Sequence, residues 1–176
     1  PFGQKVRVCS LKKTLAYHND MVIHKFLERY DMPFREAEGI FNETKRWLWL
    51  CAYTAGRYEA CMRSGTKHTL PDLVVDETVR MMDEMWHTFI LFTHDYFTFC
   101  RDHFGFYIHH APVTRTEKDA LRKRARANPL ANRRQNIKKL EALYGYVFDT
   151  LGERTVVKWY RNFPERYTPE FMKSID

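Results

Sequence analysis

Apolar positions in this chain recur every three to four residues over most of its length, and almost nowhere every second residue. That period is helical. Within residues 11–30, Ile23, Phe26, Leu27 and Tyr30 fall at i, i+3, i+4 and i+7, and Ser10 stands where an N-cap belongs. Asp31-Met32-Pro33 ends this element, because the residue before a proline avoids helical backbone. A second helix is predicted over 34–63. It carries Ala37, Ile40, Phe41, Thr44, Trp47, Leu48 and Cys51 on one face, and Ser64-Gly65 stops it. A third is predicted from Asp72 or Asp76 to residue 92. Thr93 is expected to cap a fourth over 94–104, which Gly105 ends.

Residues 106–114 read as extended. Thr116-x-x-Asp119 resembles a capping box opening a basic helix that Asn128-Pro129 breaks. Further helices are expected over 131–151 and 153–161, separated by Gly152. The expected fold is therefore all-α, a single-domain bundle of about six helices over 1–176 with an aromatic core. Trp47, Leu48, Trp86, Phe89, Ile90, Phe97 and Phe104 are the expected core residues.

Composition narrows the class. The chain is 44% hydrophobic and 15% aromatic, with seven glycines and seven prolines among 176 residues, which supplies a core and argues against disorder. No apolar run has the length of a membrane span, so no membrane partner is expected. Nothing at the start reads as a secretion signal. Cys9, Cys51, Cys61 and Cys100 include no Cys-x-x-Cys pair and read as reduced, mostly buried thiols of a cytoplasmic protein.

Charge changes the picture more. The net charge is +7, and ten basic residues lie between Val113 and Leu140 with only Glu117 and Asp119 to oppose them. The remainder holds nineteen basic and twenty acidic residues, so this one segment carries the whole excess. It is either a docking surface for an anionic partner, through Arg122, Lys123, Arg124, Arg126, Arg133 and Arg134, or a well-solvated helical arm. It holds no aromatic residue, which weakens a base-stacking surface.

The histidines supply the candidate chemistry. Five of the eight lie within residues 83–110. Asp83 and His87 are one helical turn apart and share a face. The segment after Gly105 brings back His109 and His110, of which an extended chain turns one inward and one outward. Two imidazoles and a carboxylate form the ligand set of a non-haem iron facial triad, or of a zinc site with an open position. Asp83, His87 and either His110 or His109 are the expected metal ligands, with His94 and Cys100 as secondary candidates. Trp86 and Tyr96 are expected to wall the pocket, and Lys67-His68 reads as an exposed loop with a lid as the rival role. A histidine held by a neighbouring aspartate is equally a common structural element. No glycine-rich phosphate loop, Gly-x-Ser-x-Gly or dinucleotide fingerprint is present, which disfavours nucleotide hydrolysis, serine hydrolase chemistry and Rossmann oxidoreduction.

Asp83-x-x-Trp86-His87, Tyr96-x-x-x-Cys100, Phe104-Gly105 and His110 resemble the signature of the glycine-rich domain-containing protein-like family, in its short bacterial single-domain form. Ala37, Phe41, Glu43-Thr44-Lys45-Arg46 and Leu48-Trp49-Leu50-Cys51 fit that family's second helix. The resemblance covers about residues 30–112, within a family-like core taken as 1–112, and favours His110 over His109 as the third ligand; the basic segment 113–140 and the C-terminal helices and tail over 141–176 lie beyond it. It implies a site but names no reaction.

Two functional readings stand. The first is a helical metal-binding protein, a metal-dependent oxygenase or hydrolase with iron or zinc on Asp83, His87 and His110. The second is a basic module that docks on nucleic acid or an acidic protein through 113–140, with the histidines structural. A scaffold subunit of a larger assembly is a third.

Overall fold

The computed structural model describes residues 7–67, 69–74, 77–111 and 113–175. The expectations placed on His68, Asp76 and Pro112 lie outside the described residues. All regular structure among the described residues is helical. In chain order the α-helices are α1 (Leu11–Leu15), α2 (Asp20–Leu27), α3 (Phe34–Ser64), α4 (Arg80–Leu91) and α5 (Thr93–Phe104). They continue with α6 (Arg115–Ala127), α7 (Pro129–Leu151), α8 (Glu153–Val157), α9 (Phe163–Arg166) and α10 (Pro169–Ser174). A short 3-10 turn, Glu77–Val79, leads into α4, and a π-helical turn, Lys158–Asn162, joins α8 to α9. The segments outnumber the expected six. Among the described residues no helix is long and apolar enough to cross a membrane.

Several boundaries shift for local reasons. The first expected helix is two helices. Ser10 caps α1 by accepting from the Lys13 amide, and Asn19 restarts the helix by accepting from the Val22 amide at 3.2 Å. The third begins at Arg80 after the 3-10 turn, eight residues later than Asp72. Thr93 is the first residue of α5, not its cap, and Phe92 holds the cap position without a side-chain bond. The capping box of α6 lies two residues earlier than expected. Thr114 accepts from the Glu117 amide, and Glu117 accepts from the Thr114 amide at 2.8 Å. The longer glutamate arm closes this reciprocal pair. Asn128 and Pro129 both end α6 and start α7.

The core centres on α4, which packs against both α3 and α5. Phe89 of α4 is fully buried. Its ring centroid lies 5.9 Å from that of Tyr17, 5.2 Å from Phe41, 5.1 Å from Tyr96 and 5.3 Å from Phe99. Four segments thus meet on one ring, in the edge and tilted arrangements aromatic pairs prefer. Trp47, Leu48, Trp86 and Phe104 are buried as expected, and Ile90 is half-buried. Phe97 is not a core residue, being 52% exposed beside Tyr107. Tyr96, Phe99, Cys100 and Phe104 define the inner face of α5, and Phe97 stands about 100° round from Tyr96. The four cysteines are free, but Cys100 alone is buried and the other three are half-buried.

Among the described residues, the buried charged side chains Glu43 and Lys45 are paired. Glu43, buried in α3, accepts from Trp159 Nε1 at 2.8 Å and from Lys158 Nζ at 2.9 Å, which ties the π-helical turn to α3. Lys45 is 1% exposed and donates to the carbonyls of Leu15, at 3.0 Å, and Tyr17. It satisfies the C-terminal end of α1 and holds the turn between the first two helices.

Replacing Phe89 by alanine should lower the unfolding free energy by about 3–5 kcal/mol, measured by denaturant titration. Burial lowers the Lys45 pKa from 10.5 to about 8, with Glu38 pulling the other way. The folded protein then holds this proton less tightly than the unfolded chain. The charged amine costs stability below about pH 8, and that cost is relieved as pH rises from about 8 toward 10.5. An NMR titration of the Lys45 side chain should show a midpoint near 8; a midpoint of an ordinary exposed lysine would refute the burial argument.

Candidate metal centre

The site is built from one helix and one returning segment. Asp83 and His87 lie a turn apart on α4. Gly105 takes a left-handed conformation, φ 77°, that ends α5 and turns the chain, a geometry glycine adopts without steric penalty. Residues 106–111 then run back without regular structure. A buried hydrogen-bonded chain fixes their position. Trp86 Nε1 donates to the Tyr96 hydroxyl at 2.9 Å, and that hydroxyl donates to the Ile108 carbonyl at 2.7 Å. Burial, above all, raises the Tyr96 pKa, so this phenol keeps its proton and stays a donor.

With Ile108 turned inward, His109 is exposed and His110 comes back to α4. Its Nε2 lies 2.8 Å from Asp83 Oδ1, and His87 Nδ1 lies 3.6 Å from Asp83 Oδ2. One ligand-capable atom from each of Asp83, His87 and His110 falls within 4.8 Å of the others. The two imidazole centroids are 4.4 Å apart, and the Trp86 ring meets His110 edge-on at 4.3 Å. The His110 side chain is 15% exposed, Asp83 25% and His87 51%, so the group opens to solvent on the His87 side. Two surface hollows are lined by other residues. One of about 560 Å³ lies along 153–167, and one of about 730 Å³ lies between 69–74 and α7.

The remaining candidates go elsewhere. His109 packs against Tyr107 at 4.8 Å. His94 is almost wholly exposed, 3.6 Å from Asp95. Cys100 is buried behind Tyr96, and burial raises its thiol pKa, so it stays a neutral thiol and adds no thiolate to the group. His103 bonds the Phe99 carbonyl at 2.9 Å. The Trp86 ring lies against His110, while Tyr96 is fully buried and spends its hydroxyl on the backbone of the return segment. That bracing role was absent from the sequence reading, as was the buried cation Lys45. The available signal was the run Glu43-Thr44-Lys45-Arg46 inside an apolar stretch of helix.

A Tyr96→Phe substitution leaves the Ile108 carbonyl and the Trp86 indole N–H without their partner. It should cost about 1–3 kcal/mol of stability. The His110 ring signals in an NMR spectrum should shift and broaden while those of His94 stay put. An unchanged His110 would show that the return segment is held by other contacts.

No curated protein and no solved structure matches this chain. A family model does, over residues 19–142, and it is not that of the glycine-rich domain-containing proteins. The resemblance drawn from the sequence rested on short motifs of a few residues each, and the family comparison corrects it. The matched span takes in Asp83, His87, His110 and the basic segment alike, and the chain belongs to the UCP032817-like family.

Proposed function

We propose that Asp83, His87 and His110 hold a divalent transition metal, iron(II) or zinc, and that the protein is a metal-binding member of its family. The observation that carries this reading is the convergence of one carboxylate and two imidazoles, drawn from a helix and a separate return segment, within 4.8 Å. Donors bound about 2.1 Å from one ion stand about 3.0–3.5 Å apart. His110 Nε2 lies 2.8 Å from Asp83 Oδ1 and His87 Nδ1 lies 3.6 Å from Asp83 Oδ2, while the three ligand atoms spread over up to 4.8 Å, so the side chains must draw together to hold one ion. Without a thiolate, the set is the nitrogen and oxygen mixture that suits iron(II) or catalytic zinc rather than a closed structural zinc site.

Three protein ligands leave positions for water or substrate on the open His87 side. A metal held there would polarise bound water as a Lewis acid, the chemistry of hydrolases, or, as iron(II), would supply electrons to dioxygen, the chemistry of oxygenases. The protein's own contribution is to fix the donors. Trp86 backs His110, and Tyr96 holds the backbone two residues before it. Oxygenase and hydrolase remain equal expectations of this site.

Protein purified without a histidine tag should carry near-stoichiometric iron or zinc by elemental analysis, or take it up when reconstituted. At a metal concentration of 100 times Kd the bound ion should raise the unfolding free energy by about 2.7 kcal/mol. His87→Ala and His110→Ala should each lose that increment while melting normally in chelator. Folded protein that neither carries nor takes up metal would leave the Asp83–His110 contact as a structural hydrogen bond.

A further inference from the structure

We propose, independently of the metal reading, that the helical hairpin formed by α6 and the first two-thirds of α7 docks on the backbone of double-stranded DNA. The hairpin takes almost no part in the core. Every residue from 113 to 142 is exposed save Ala125 and Asn132, which are half-buried, and the first buried residue of α7 is Leu143. Tyr146 then fastens α7 to the body through a 2.9 Å contact with Thr54. Hydrophobic burial therefore does not explain why this segment is helical over so many residues. Capping does in part, through the Thr114–Glu117 box and Asn128.

The charge of the hairpin is left uncompensated. Its two acids are already engaged, Glu117 in the cap of α6 and Asp119 with Arg122 at 3.4 Å. Among the described residues, the other nine basic side chains of this segment form no ion pair. Like charges crowded on neighbouring turns destabilise a helix, so the isolated hairpin carries a standing electrostatic cost that a polyanion relieves. On α6, Arg115, Lys118, Arg122 and Arg126 follow the spacing i, i+3, i+7, i+11 and form one stripe about 16 Å long. Exposed Leu121 stands about 100° round from Arg122 and leaves that stripe polar.

These features select the kind of polyanion. No aromatic residue lies between Arg115 and Leu140, so single-strand recognition by base stacking has no platform. Within this unit α6 alone, a helix about 10–12 Å across, fits along the major groove of B-form DNA, about 12 Å wide, while the major groove of A-form RNA is too narrow. Contact is with phosphates and is independent of sequence. The family match, residues 19–142, covers the whole of this exposed stretch.

The test is fluorescence anisotropy of the full chain with a labelled 24-base-pair DNA duplex of arbitrary sequence. For about five neutralised phosphates, affinity should fall on the order of 500-fold between 50 and 200 mM salt. Reversing Arg122, Lys123, Arg124 and Arg126 to glutamate should abolish binding, with helical content and melting temperature kept, because α6 has no buried residue. Should that variant misfold, replacing Lys118, Arg122 and Arg126 by glutamine should lower the salt slope by about three. His110→Ala should bind DNA as the unaltered protein does, which separates this surface from the metal site. Absent or salt-insensitive binding would overturn the proposal. So would equal or better competition by an RNA duplex, single-stranded DNA or polyglutamate.

Discussion

The candidate site depends on one buried hydroxyl. Tyr96 receives the Trp86 indole N–H and gives its own proton to the Ile108 carbonyl, so a single oxygen links α4, α5 and the segment after Gly105. A chain leaving a helix through a left-handed glycine has many directions open to it. This bond selects the one that runs beside α4. It also sets the register: with Ile108 turned inward, His109 faces solvent and His110 meets Asp83. In the buried environment each of these polar groups is costly unless paired, which makes the arrangement stiff as well as specific.

The molecule divides its polar residues into two regimes. Inside the body the buried charges are matched. Glu43 meets Trp159 and Lys158, Lys45 meets the carbonyls of Leu15 and Tyr17, and Thr44 reaches the Met82 carbonyl of α4 at 3.2 Å. These contacts join segments far apart in sequence and fix how the C-terminal helices and the α1–α2 turn sit on α3. On the α6–α7 hairpin the opposite holds: the charges are exposed, nearly all of one sign, and matched by little within the chain. Packing constrains the first regime, and solvation and salt govern the second.

Much of the fold was legible because its causes are local. The helical period, the Gly65, Gly105 and Gly152 stops, the Asn128-Pro129 break and the inward faces of α3 and α4 all follow from side-chain spacing and backbone preference. Misplacements fell where local signals compete. Two threonines two residues apart both offered a cap for α6, and the one with glutamate at the right distance took it. Asn19 broke the first helix where the apolar period ran on. Phe97 is apolar yet lies on the outer side of α5, because its inner face was already full of rings.

At the site, the sequence by itself determined that Asp83 and His87 share a face, since one turn of helix puts them there. It also determined that Gly105 reverses the chain and that all the excess charge lies in one segment. Only the tertiary structure decided that His110 rather than His109 returns to Asp83, that Cys100 and His94 stay away, and that Tyr96 braces the return segment. Those outcomes turn on contacts between residues twelve to twenty-seven positions apart. No local period encodes the phase at which an irregular segment comes back; the cost of leaving a buried carbonyl unpaired does.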